Sequence, residues 1–485
     1  MIAWTIYLTF AGAVLLLFLP RALARWIALA TTAGGLVIDV AGFFAANADF
    51  AHFTTIVQVP WVPALGMNYH LAVDGISLTL ILVTGLTAIC AVLFSWKVEN
   101  RPNEFFFWLL LVVGGSYGVF LSADLFLFFV FYELVIVPKY FLIAIWGSTN
   151  KEYGAMKLTL YSFFGGVLVF VGILAIYASA GSLDLPQLAR FSFDPQLQTW
   201  AFPLLFLGFA VLGGIWPLHT WAPTGHVAAP TAGSMLLAGI VMKLGAYGAL
   251  RVALNLFPLG FQVWSKWIAV LAVIGIVYAA GVALRQSDLK FVIGYSSVSH
   301  MGFVLLGLAA GNLLGVSGAV LQMFSHGVIG ALLFAFAGAL YYRTHTRNLE
   351  DLATMRLNRA TPFLALAFVA ASAASMGIPG FSGFAAEITI LIGTWKTFPV
   401  AVGITGVGMV LVAAFTLRAL KKAFFGEDRF GRAAKETHLP DGAATPAEKL
   451  GASLLIFATL AVGLYPKLLF DRIMPAVETM RFLHK

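Results

Sequence analysis

Ionisable side chains inside long apolar runs are the most informative feature of this sequence. Glu133 lies within LFLFFVFYELVIVPKYFLIAIW, where Lys139 follows six residues later. Lys243 lies within MLLAGIVMKLGAYGAL, and Glu387 lies within GFAAEITILIG. An ionisable residue at the centre of a membrane helix costs about 2.5–3.5 kcal/mol on insertion scales, so such residues are rare without a function. We therefore expect Glu133, Lys243 and Glu387 to act chemically.

Two histidines and a further lysine extend this set. His300 lies in SSVSHMG, His326 in QMFSHGVIG and Lys290 in SDLKFVIGY. A carboxyl and an ammonium group whose separation changes act as a proton switch, and imidazole passes protons between its two nitrogens near neutral pH. A lone buried histidine is usually a polar group of the core, but two of them between a buried lysine and a buried glutamate indicate a proton route. Lys290 lies nearer the end of its run, where snorkelling to the interface explains it equally well.

The sequence does not contain the motifs that are typical of metal, haem or nucleotide sites. The histidine and carboxylate spacing typical of metal sites is absent, and ligand spacing does not indicate haem, although two histidines leave haem ligation open. The sequence contains no GxGxxG, GxxxxGKS or GxxxxGKT loop, so we expect no nucleotide site and no cofactor in this chain. Asp74 and Asp124 open apolar runs, where helix N-caps explain acidic residues.

The elements that hold these residues must be membrane helices. The chain has 485 residues, of which 61% are hydrophobic and 10% are charged, whereas soluble proteins are about 25% charged. This composition excludes a soluble multi-domain protein and a disordered chain, and the single cysteine, Cys90, excludes a disulfide scaffold or zinc ribbon. Because backbone polar groups in lipid must be satisfied internally, we predict an all-α polytopic membrane protein.

The apolar runs are long enough to be counted as candidate membrane-spanning helices. A spanning helix needs about 20 mostly apolar residues, and the sequence contains about fourteen such runs. They lie near 2–20, 24–45, 71–96, 105–121, 124–146, 155–180, 199–218, 231–254, 263–285, 288–310, 312–341, 361–398, 400–424 and 449–470.

Lysine and arginine concentrate on the loops that follow odd-numbered runs, so the net charge of +8 is mostly a signal of topology. The positive-inside rule places these loops in the cytoplasm and both termini on the outer side. The polar and aromatic segment 46–70 is predicted to be an outward loop with interfacial anchors. The hydrophilic segment 426–448 is predicted to be a cytoplasmic loop, with or without a surface helix.

Two runs contain helix breakers. The seventh has Gly213-Gly214, Trp216-Pro217 and the tract HTWAPTGHVAAP, and the twelfth has GIPGFSG in its middle. Paired breaks in corresponding positions indicate inverted repeats and a transport pathway, although packing kinks alone also produce breaks. We expect N-terminal helices in 1–104, five-helix repeats in 105–254 and 255–425, and a loop with a last helix in 426–485.

These segments resemble one family, the antiporter-like subunits of respiratory complex I. The similar blocks are FYELVIVPKYFLIAIWG, HTWAPTGHVAAPTAGSMLLAGIVMKLGAYGALR, SDLKFVIGYSSVSHMGFVLLGL, LQMFSHGVIGALLFAFAGALYYRTHTR and GIPGFSGFAAEITILIGTW. The resemblance implies fourteen helices, two inverted repeats and discontinuous seventh and twelfth helices. The family's fifth-helix glutamate falls on Glu133, its eighth-helix lysine on Lys243, its linking histidines on His300 and His326, and its terminal acid on Glu387. An acid at this last position, where other antiporter-like subunits carry lysine, indicates the M-type (chain 4) group.

One departure from the family pattern affects the proton route. The family usually has a lysine at the seventh-helix break, in AVKMPxxPLHTW, whereas this chain reads AVLGGIWPLHTW with Leu212 at that position. Lys139 stands where the family usually has an apolar residue, so we hypothesise that it supplies the missing ammonium beside Glu133. Residues six apart do not share a helix face, so this pair needs a distortion at Pro138 or a bridging water.

The resemblance implies a non-redox, proton-translocating subunit of NADH:quinone oxidoreductase in the bacterial plasma membrane. NAD, FMN, iron–sulfur clusters and quinone are then expected in other subunits. The partners are expected to be neighbouring membrane subunits and lipid, with no nucleic acid. A subunit of a multi-subunit cation/proton antiporter or of a membrane-bound hydrogenase is the first alternative. A scaffold with relic charges is the second, and an ordinary solute carrier fits less well because no substrate cavity is apparent.

Overall fold

The computed structural model describes residues 1–45, 50–355, 357–426 and 443–484. The first part of the chain forms α1 (Trp4–Phe18), α2 (Ala24–Phe43), β1 (Thr54–Val62), β2 (Met67–Val73), α3 (Gly75–Leu93), α4 (Pro102–Leu121), α5 (Leu125–Leu134), α6 (Ile136–Trp146), α7 (Lys151–Ala180), α8 (Leu185–Leu188) and α9 (Pro195–Gly213). The second part forms α10 (Trp221–Ala228), α11 (Thr231–Leu236), α12 (Met242–Gly248), α13 (Pro258–Arg285), α14 (Leu289–Ala309), α15 (Leu313–Thr344), α16 (Leu349–Ala353), α17 (Leu357–Ala360), α18 (Pro362–Ser375), α19 (Ser382–Trp395), α20 (Pro399–Phe424), α21 (Pro446–Leu464) and α22 (Lys467–Glu478).

The prediction of a polytopic helical protein is confirmed. Within the described residues, twelve helical stretches are long and apolar enough to cross a membrane, and α1 and α18 are shorter apolar helices. The twelve stretches coincide with twelve of the fourteen predicted runs. The other two runs correspond to α1 and to the broken pair α18 and α19. That all fourteen runs cross the membrane remains a prediction.

One segment departs from the all-α prediction. Most of the region expected as an irregular outward loop is an antiparallel hairpin, in which β1 pairs with β2 and Gly66 makes the turn with a positive φ of 65°. His70 connects the hairpin to the start of α8: its Nδ1 lies 2.7 Å from Oδ2 of Asp184, the N-cap of α8, and its Nε2 lies 3.0 Å from Thr55 Oγ1. Inter-strand hydrogen bonds satisfy backbone groups that an irregular loop leaves to water. Residues 46–49 of the predicted loop lie outside the described part.

The helices form an enclosed centre and an outer layer. The long helices α3, α14 and α15 and the stretch Thr231–Leu254 are almost wholly buried, whereas α2, α7, α20 and α21 expose many large apolar side chains. A helix that is apolar all round belongs inside a bundle or against lipid. Three of these enclosed stretches, α14, α15 and Thr231–Leu254, carry Lys243, Lys290, His300 and His326, so the packing of the bundle shields these side chains from water and lipid.

Contacts between loops occur at both ends of the bundle, and the predicted orientation of these ends in the membrane stays a prediction. At one end, Thr479 donates to Ala51 O at 3.0 Å, and Arg481 N donates to Asn255 Oδ1 at 3.1 Å. At the other end, Arg347 on the loop after α15 donates to Val227 O at 3.0 Å and to Ser148 Oγ at 3.2 Å. Two of the loops predicted to be cytoplasmic, those after α6 and α15, therefore lie together. Most of the predicted loop 426–448 lies outside the described residues.

The prediction that Asp74 and Asp124 cap helices is confirmed. Asp74 accepts from Ser77 N at 2.9 Å, and Asp124 accepts from Phe126 N at 2.9 Å. The sequence did not reveal that Asp74 also forms a buried ion pair with Arg251, which lies on the stretch Thr231–Leu254. Asp74 therefore connects the start of α3 to the helix that carries Lys243.

We expect Asp74→Ala to destabilise the protein much more than an ordinary cap mutation. Breaking a buried ion pair leaves an uncompensated charge, and the loss is about 3–5 kcal/mol. The matched control is Asp194→Ala, which removes only the exposed N-cap of α9 and costs about 1 kcal/mol. Thermal unfolding in one detergent measures both variants, and equal losses would contradict a stabilising role for the Asp74–Arg251 pair.

Candidate functional site

Four of the membrane stretches are irregular, and the site residues lie on or beside them. The two predicted breaks are present: α9 ends at Gly213 before α10, and α18 ends at Ser375 before α19. The fifth stretch is also divided, at Val135 between α5 and α6. Pro138 accounts for this division, because a proline ring clashes with the carbonyl four residues before it and removes a backbone donor.

The eighth stretch is irregular around Lys243. The short helix α12 carries this lysine and is flanked by two π-helical segments, Leu237–Val241 and Ala249–Leu254. The sequence predicts one continuous helix over 231–254, and the structure divides it. π-Helical turns inside membrane helices leave carbonyl groups without their ordinary partners and are frequent at functional sites. The ammonium group of Lys243 donates to such a carbonyl, that of Ala238.

Lys243 and the two histidines form a continuous contact chain. Lys243 Nζ lies 2.7 Å from His326 Nδ1. The imidazole rings of His326 and His300 are stacked, with centroids 5.7 Å apart and an interplanar angle of 22°. All three side chains are buried. The structure therefore brings together residues that lie on three different helices and are separated by up to 83 positions in sequence.

His300 joins this chain to Glu387. Its Nδ1 lies 2.9 Å from Ser296 O, its Nε2 lies 3.1 Å from Ser375 O, and the same Nε2 is 3.6 Å from Glu387 Oε1. Ser296 Oγ also lies 3.3 Å from Nδ1, so its hydroxyl can donate to Nδ1 of a neutral ring whose Nε2–H is directed at Ser375 O.

The helix break makes room for the carboxyl group of Glu387. Gly377 has a φ of 67°, and a methyl group on it would lie 2.9 Å from Glu387 Oε2. His300, Gln322, His326, Ile329, Ala374, Gly383 and Glu387 line a cavity of about 10 Å³. That volume is close to the space that one water molecule needs. One water there is within reach of groups that exchange protons.

Lys290 lies on the side of Lys243 that faces the basic loops. Its Nζ donates to Ala229 O at 2.8 Å and lies 3.5 Å from Ser234 Oγ. Ala229 is the C-cap of α10, so the lysine binds one of the carbonyl groups that a helix end leaves free. The side chain is buried and hydrogen-bonded inside the bundle, and the choice between a proton-transfer role and snorkelling stays a prediction.

A cavity of about 320 Å³, which we call the vestibule, lies beside Lys290 at the basic end of the bundle. Aromatic side chains form part of its walls, which include the ends of α3, α6 and α15 and the start of α21. They include Phe94, Trp146, Tyr341 and Tyr342, and Glu448, which is paired with Arg343 at 2.7 Å. A cavity of this size holds several waters next to the Lys290 ammonium.

His226 is a site residue that the sequence analysis did not single out. Its ring stacks on Phe334 with centroids 4.4 Å apart, and neither ring nitrogen has a hydrogen-bond partner among the described residues. It interacts electrostatically with both Lys290 and Lys243. Its backbone carbonyl accepts from Ser234 Oγ at 2.8 Å. Its position in the polar tract of the broken seventh run was the available sequence signal.

Glu133 and Lys139 lie apart from the chain around Lys243. Glu133 packs against Gly166 of α7, and its Oε1 has no hydrogen-bond partner in the described part of the protein. Lys139 is buried in a small cavity beside Gly233, Leu236 and Leu237, and its Nζ has no partner there either. A Coulombic attraction links the two side chains, but no hydrogen bond or close ion pair does.

The hypothesis about Lys139 meets one condition and leaves another open. The ammonium group faces the protein interior and neither lipid nor bulk water, as a replacement for the lysine missing at Leu212 requires. Leu212 is not among the residues that line the Lys139 cavity, which lies toward the start of the eighth stretch. The replacement therefore remains a prediction.

The arrangement suits proton transfer between neighbouring acids and bases. The groups from Lys243 to Glu387 are linked by a hydrogen bond, a ring contact, a 3.6 Å approach and one small cavity. Within the described residues, no group of three or more histidine, cysteine, aspartate or glutamate side chains is placed to hold a metal ion.

Broken membrane helices around buried acids and bases define the antiporter-like class of membrane subunit. A chain of respiratory complex I from Thermus thermophilus has the same fold, with a TM-score of 0.90, 27% sequence identity, and 99% of each chain covered. Residues 122–413 match the model of the family described as NADH:quinone oxidoreductase/Mrp antiporter, TM, and the chain belongs to this family.

Curated relatives agree with the M-type resemblance. NAD(P)H-quinone oxidoreductase chain 4 of a Synechococcus species is 38% identical over 455 residues, which cover 92% of this chain and 85% of the relative. NADH-quinone oxidoreductase subunit M of Rhodobacter capsulatus is 36% identical over 470 residues, which cover 94% and 90% of the two chains. The resemblance stated from the sequence is confirmed.

We expect Lys139→Met to raise the stability of the protein. The substitution keeps the length of the side chain and removes a buried ammonium group that lacks hydrogen bonds, whose desolvation costs several kcal/mol. The control is Lys266→Met at an exposed position of α13, which should change stability by less than about 0.5 kcal/mol. Thermal unfolding measures both, and a lower melting temperature for Lys139→Met would show that Lys139 is stably paired.

Proposed function

We propose that this chain is a proton-translocating, non-redox membrane subunit of an NADH:quinone oxidoreductase in a bacterial plasma membrane. The observation that carries the proposal is the contact chain from Lys243 through His326 and His300 to Glu387. The names of the curated relatives support the assignment to this kind of complex. Neighbouring membrane subunits and lipid are the proposed partners, and NAD, FMN, iron–sulfur clusters and quinone belong to other subunits.

The proton route begins at the basic face, which we assign to the cytoplasm by the positive-inside rule. Water in the vestibule delivers a proton to Lys290. Ser234 and His226 separate Lys290 from Lys243, so the proton passes to Lys243 through these groups and bound water. From Lys243 it moves through His326 and His300 to Glu387. It leaves toward the face that carries the hairpin and both termini.

The carboxyl group of Glu133 and the ammonium group of Lys139 form the coupling element. Electron transfer elsewhere in the complex changes the charge near Glu133 and so opens or closes its attraction to Lys139. At an effective dielectric constant of 20, a unit charge at about 10 Å contributes roughly 1.7 kcal/mol, which exceeds a tenfold change in proton affinity. A bias of this size is sufficient to protonate or deprotonate Lys243, provided that Lys243 and the Glu133–Lys139 pair are coupled through a part of the protein with two conformations.

Inverted repeats explain why the two broken helices resemble one another. We assign the five-helix repeats to 105–254 and 255–425, with α9 and α10 as the broken fourth helix of the first and α18 and α19 as that of the second. The break between α18 and α19 supplies a free carbonyl to the proton route, because Ser375 O faces His300. The carbonyl that binds Lys290, Ala229 O, lies at the far end of α10 and not at the break between α9 and α10. Residues 1–104 and 426–485 flank the two proposed repeats.

A subunit of a cation/proton antiporter is the second candidate, because the description of the matching family covers Mrp antiporters as well as quinone oxidoreductases. The two candidates differ in their partners. Purification of the intact complex with an affinity tag on this chain separates them. Iron–sulfur subunits in the preparation support the oxidoreductase, and their absence together with sodium/proton exchange supports the antiporter.

We expect Lys243→Ala and Glu133→Gln to lower proton pumping by at least about tenfold, because each removes a proton-transfer or coupling group. The matched control, Lys266→Ala, removes an exposed lysine and should leave pumping unchanged. Proton uptake by membrane vesicles during quinone reduction measures the rate, and subunit content confirms assembly. Normal pumping in a fully assembled Lys243→Ala complex would refute the proposed route.

A relocation experiment tests the role of Lys139. Lys139→Met should lower pumping, because Glu133 loses its ammonium partner. Adding Leu212→Lys to that variant should restore pumping, because it returns a lysine to the position that the family pattern uses. Leu212→Lys alone is the control for damage caused by a second lysine. Unchanged pumping in Lys139→Met, or failure of a folded double variant to recover, would contradict the hypothesis.

A further inference from the structure

Asp39 is a buried acid that belongs to none of the groups described above. It lies on α2, about one helical turn before the end of that helix, and its side chain is fully buried. The run that contains it reads LVIDVAGF. An acid in such an environment has no support from water or lipid headgroups.

The surroundings of Asp39 are built around its carboxyl group. Tyr117 of α4 donates its hydroxyl to Asp39 Oδ2 at 2.7 Å. On α3, the residue that faces this carboxyl group is Gly85, where a methyl group would overlap Asp39 Oδ2 and lie 3.0 Å from the Tyr117 hydroxyl. The carboxyl group therefore fills a space that exists because α3 has no side chain at this point.

The carboxyl group has no counter-charge. Within the described residues, no lysine, arginine or histidine forms an ion pair with Asp39, and its Oδ1 has no hydrogen-bond partner. An isolated carboxylate in a low-dielectric interior loses solvation free energy, and the single hydrogen bond from Tyr117 does not replace it. The neutral acid avoids this loss and still accepts the hydrogen bond from Tyr117.

The opposite side of α3 packs against the Lys243 site at the same level. Val83 contacts Gly327 of α15, and Thr87 contacts Gly239 in the first π-helical segment. A methyl group on Gly327 would lie 3.6 Å from Lys243 Cε. Because these contacts are made at glycines, a small displacement of α3 is transmitted directly to the backbone around Lys243.

We propose that Asp39 is a positioning residue that works as a neutral, proton-carrying acid: hydrogen-bonded to Tyr117 in the space left by Gly85, it holds α3 against the helices around Lys243. The proposal rests on the proposed function of Lys243. It adds a proton-binding group on α2, outside the two repeats, that holds its proton during turnover and is not a step of the route.

The test uses the intact complex in membrane vesicles and compares protons pumped per quinone reduced. Gly85→Ala should lower this ratio, because its methyl group displaces the Asp39 carboxyl. A displacement of about 1 Å at a catalytic group can cost on the order of a hundredfold in rate, so we expect a loss of roughly tenfold. Asp39→Ala should also lower the ratio, whereas the double variant Asp39→Ala with Gly85→Ala should recover, because the new methyl group fills the vacated space.

The conservative variant Asp39→Asn tests whether Asp39 acts as a neutral acid or as a carboxylate. Asparagine keeps the shape and the acceptor oxygen, so pumping should stay within about twofold of the wild-type value. Infrared spectra should show the loss of one protonated-carboxyl band in Asp39→Asn and a shift of that band in Tyr117→Phe. A severe pumping defect in assembled Asp39→Asn, or no lost band, would overturn the neutral-acid assignment.

The two proposals fail in different ways. If Asp39 has no positioning role, Gly85→Ala and Asp39→Ala pump normally while Lys243→Ala does not. If the proton route itself is wrong, Lys243→Ala pumps normally as well. Failure of the double variant to recover, with both single variants defective and assembled, would show that Asp39 acts by its chemistry and not by filling space.

Discussion

The constraint on which this structure depends is that a polar group inside a membrane protein must find its partner within the protein. Three groups of the proposed route meet it at a helix end or an irregular segment. Lys290 binds the free carbonyl at the end of α10, His300 faces the free carbonyl at the end of α18, and Lys243 binds a carbonyl in a π-helical segment. Helix irregularities therefore supply carbonyl partners to buried lysine and histidine side chains.

Some buried ionisable side chains have close polar partners and others have none, and this difference matches the proposed roles. The chain from Lys243 to Glu387 is closely connected, which favours transfer of protons between neighbours. Glu133 and Lys139 interact only through their charges and lack hydrogen bonds in the described part of the protein. A pair held so weakly responds to an added charge more readily than a hydrogen-bonded pair, which suits a coupling element.

Sequence reasoning succeeded where a residue type alone was decisive. Glu133, Lys243 and Glu387 stood out because ionisable residues are costly in apolar runs, and the glycine and proline clusters located both breaks in the seventh and twelfth runs. The same rule applied to the second run would have found Asp39. Sequence reasoning failed for the 46–70 segment, because the order of polar and aromatic residues in so short a stretch does not distinguish a hairpin from a loop. It also failed for Arg251, because the partner of this residue, Asp74, lies 177 positions away in sequence.

The sequence by itself determined the class of protein, the approximate spans and most of the ionisable residues inside the bundle. These follow from composition and local pattern, because transfer of a side chain into lipid has a cost that depends on the residue alone. Only the tertiary structure decided that Lys243 meets His326, that Lys290 binds the end of α10, and that Lys139 stays without a partner. Those outcomes depend on which helix faces come together, and that is set by the packing of the whole bundle and not by any one segment.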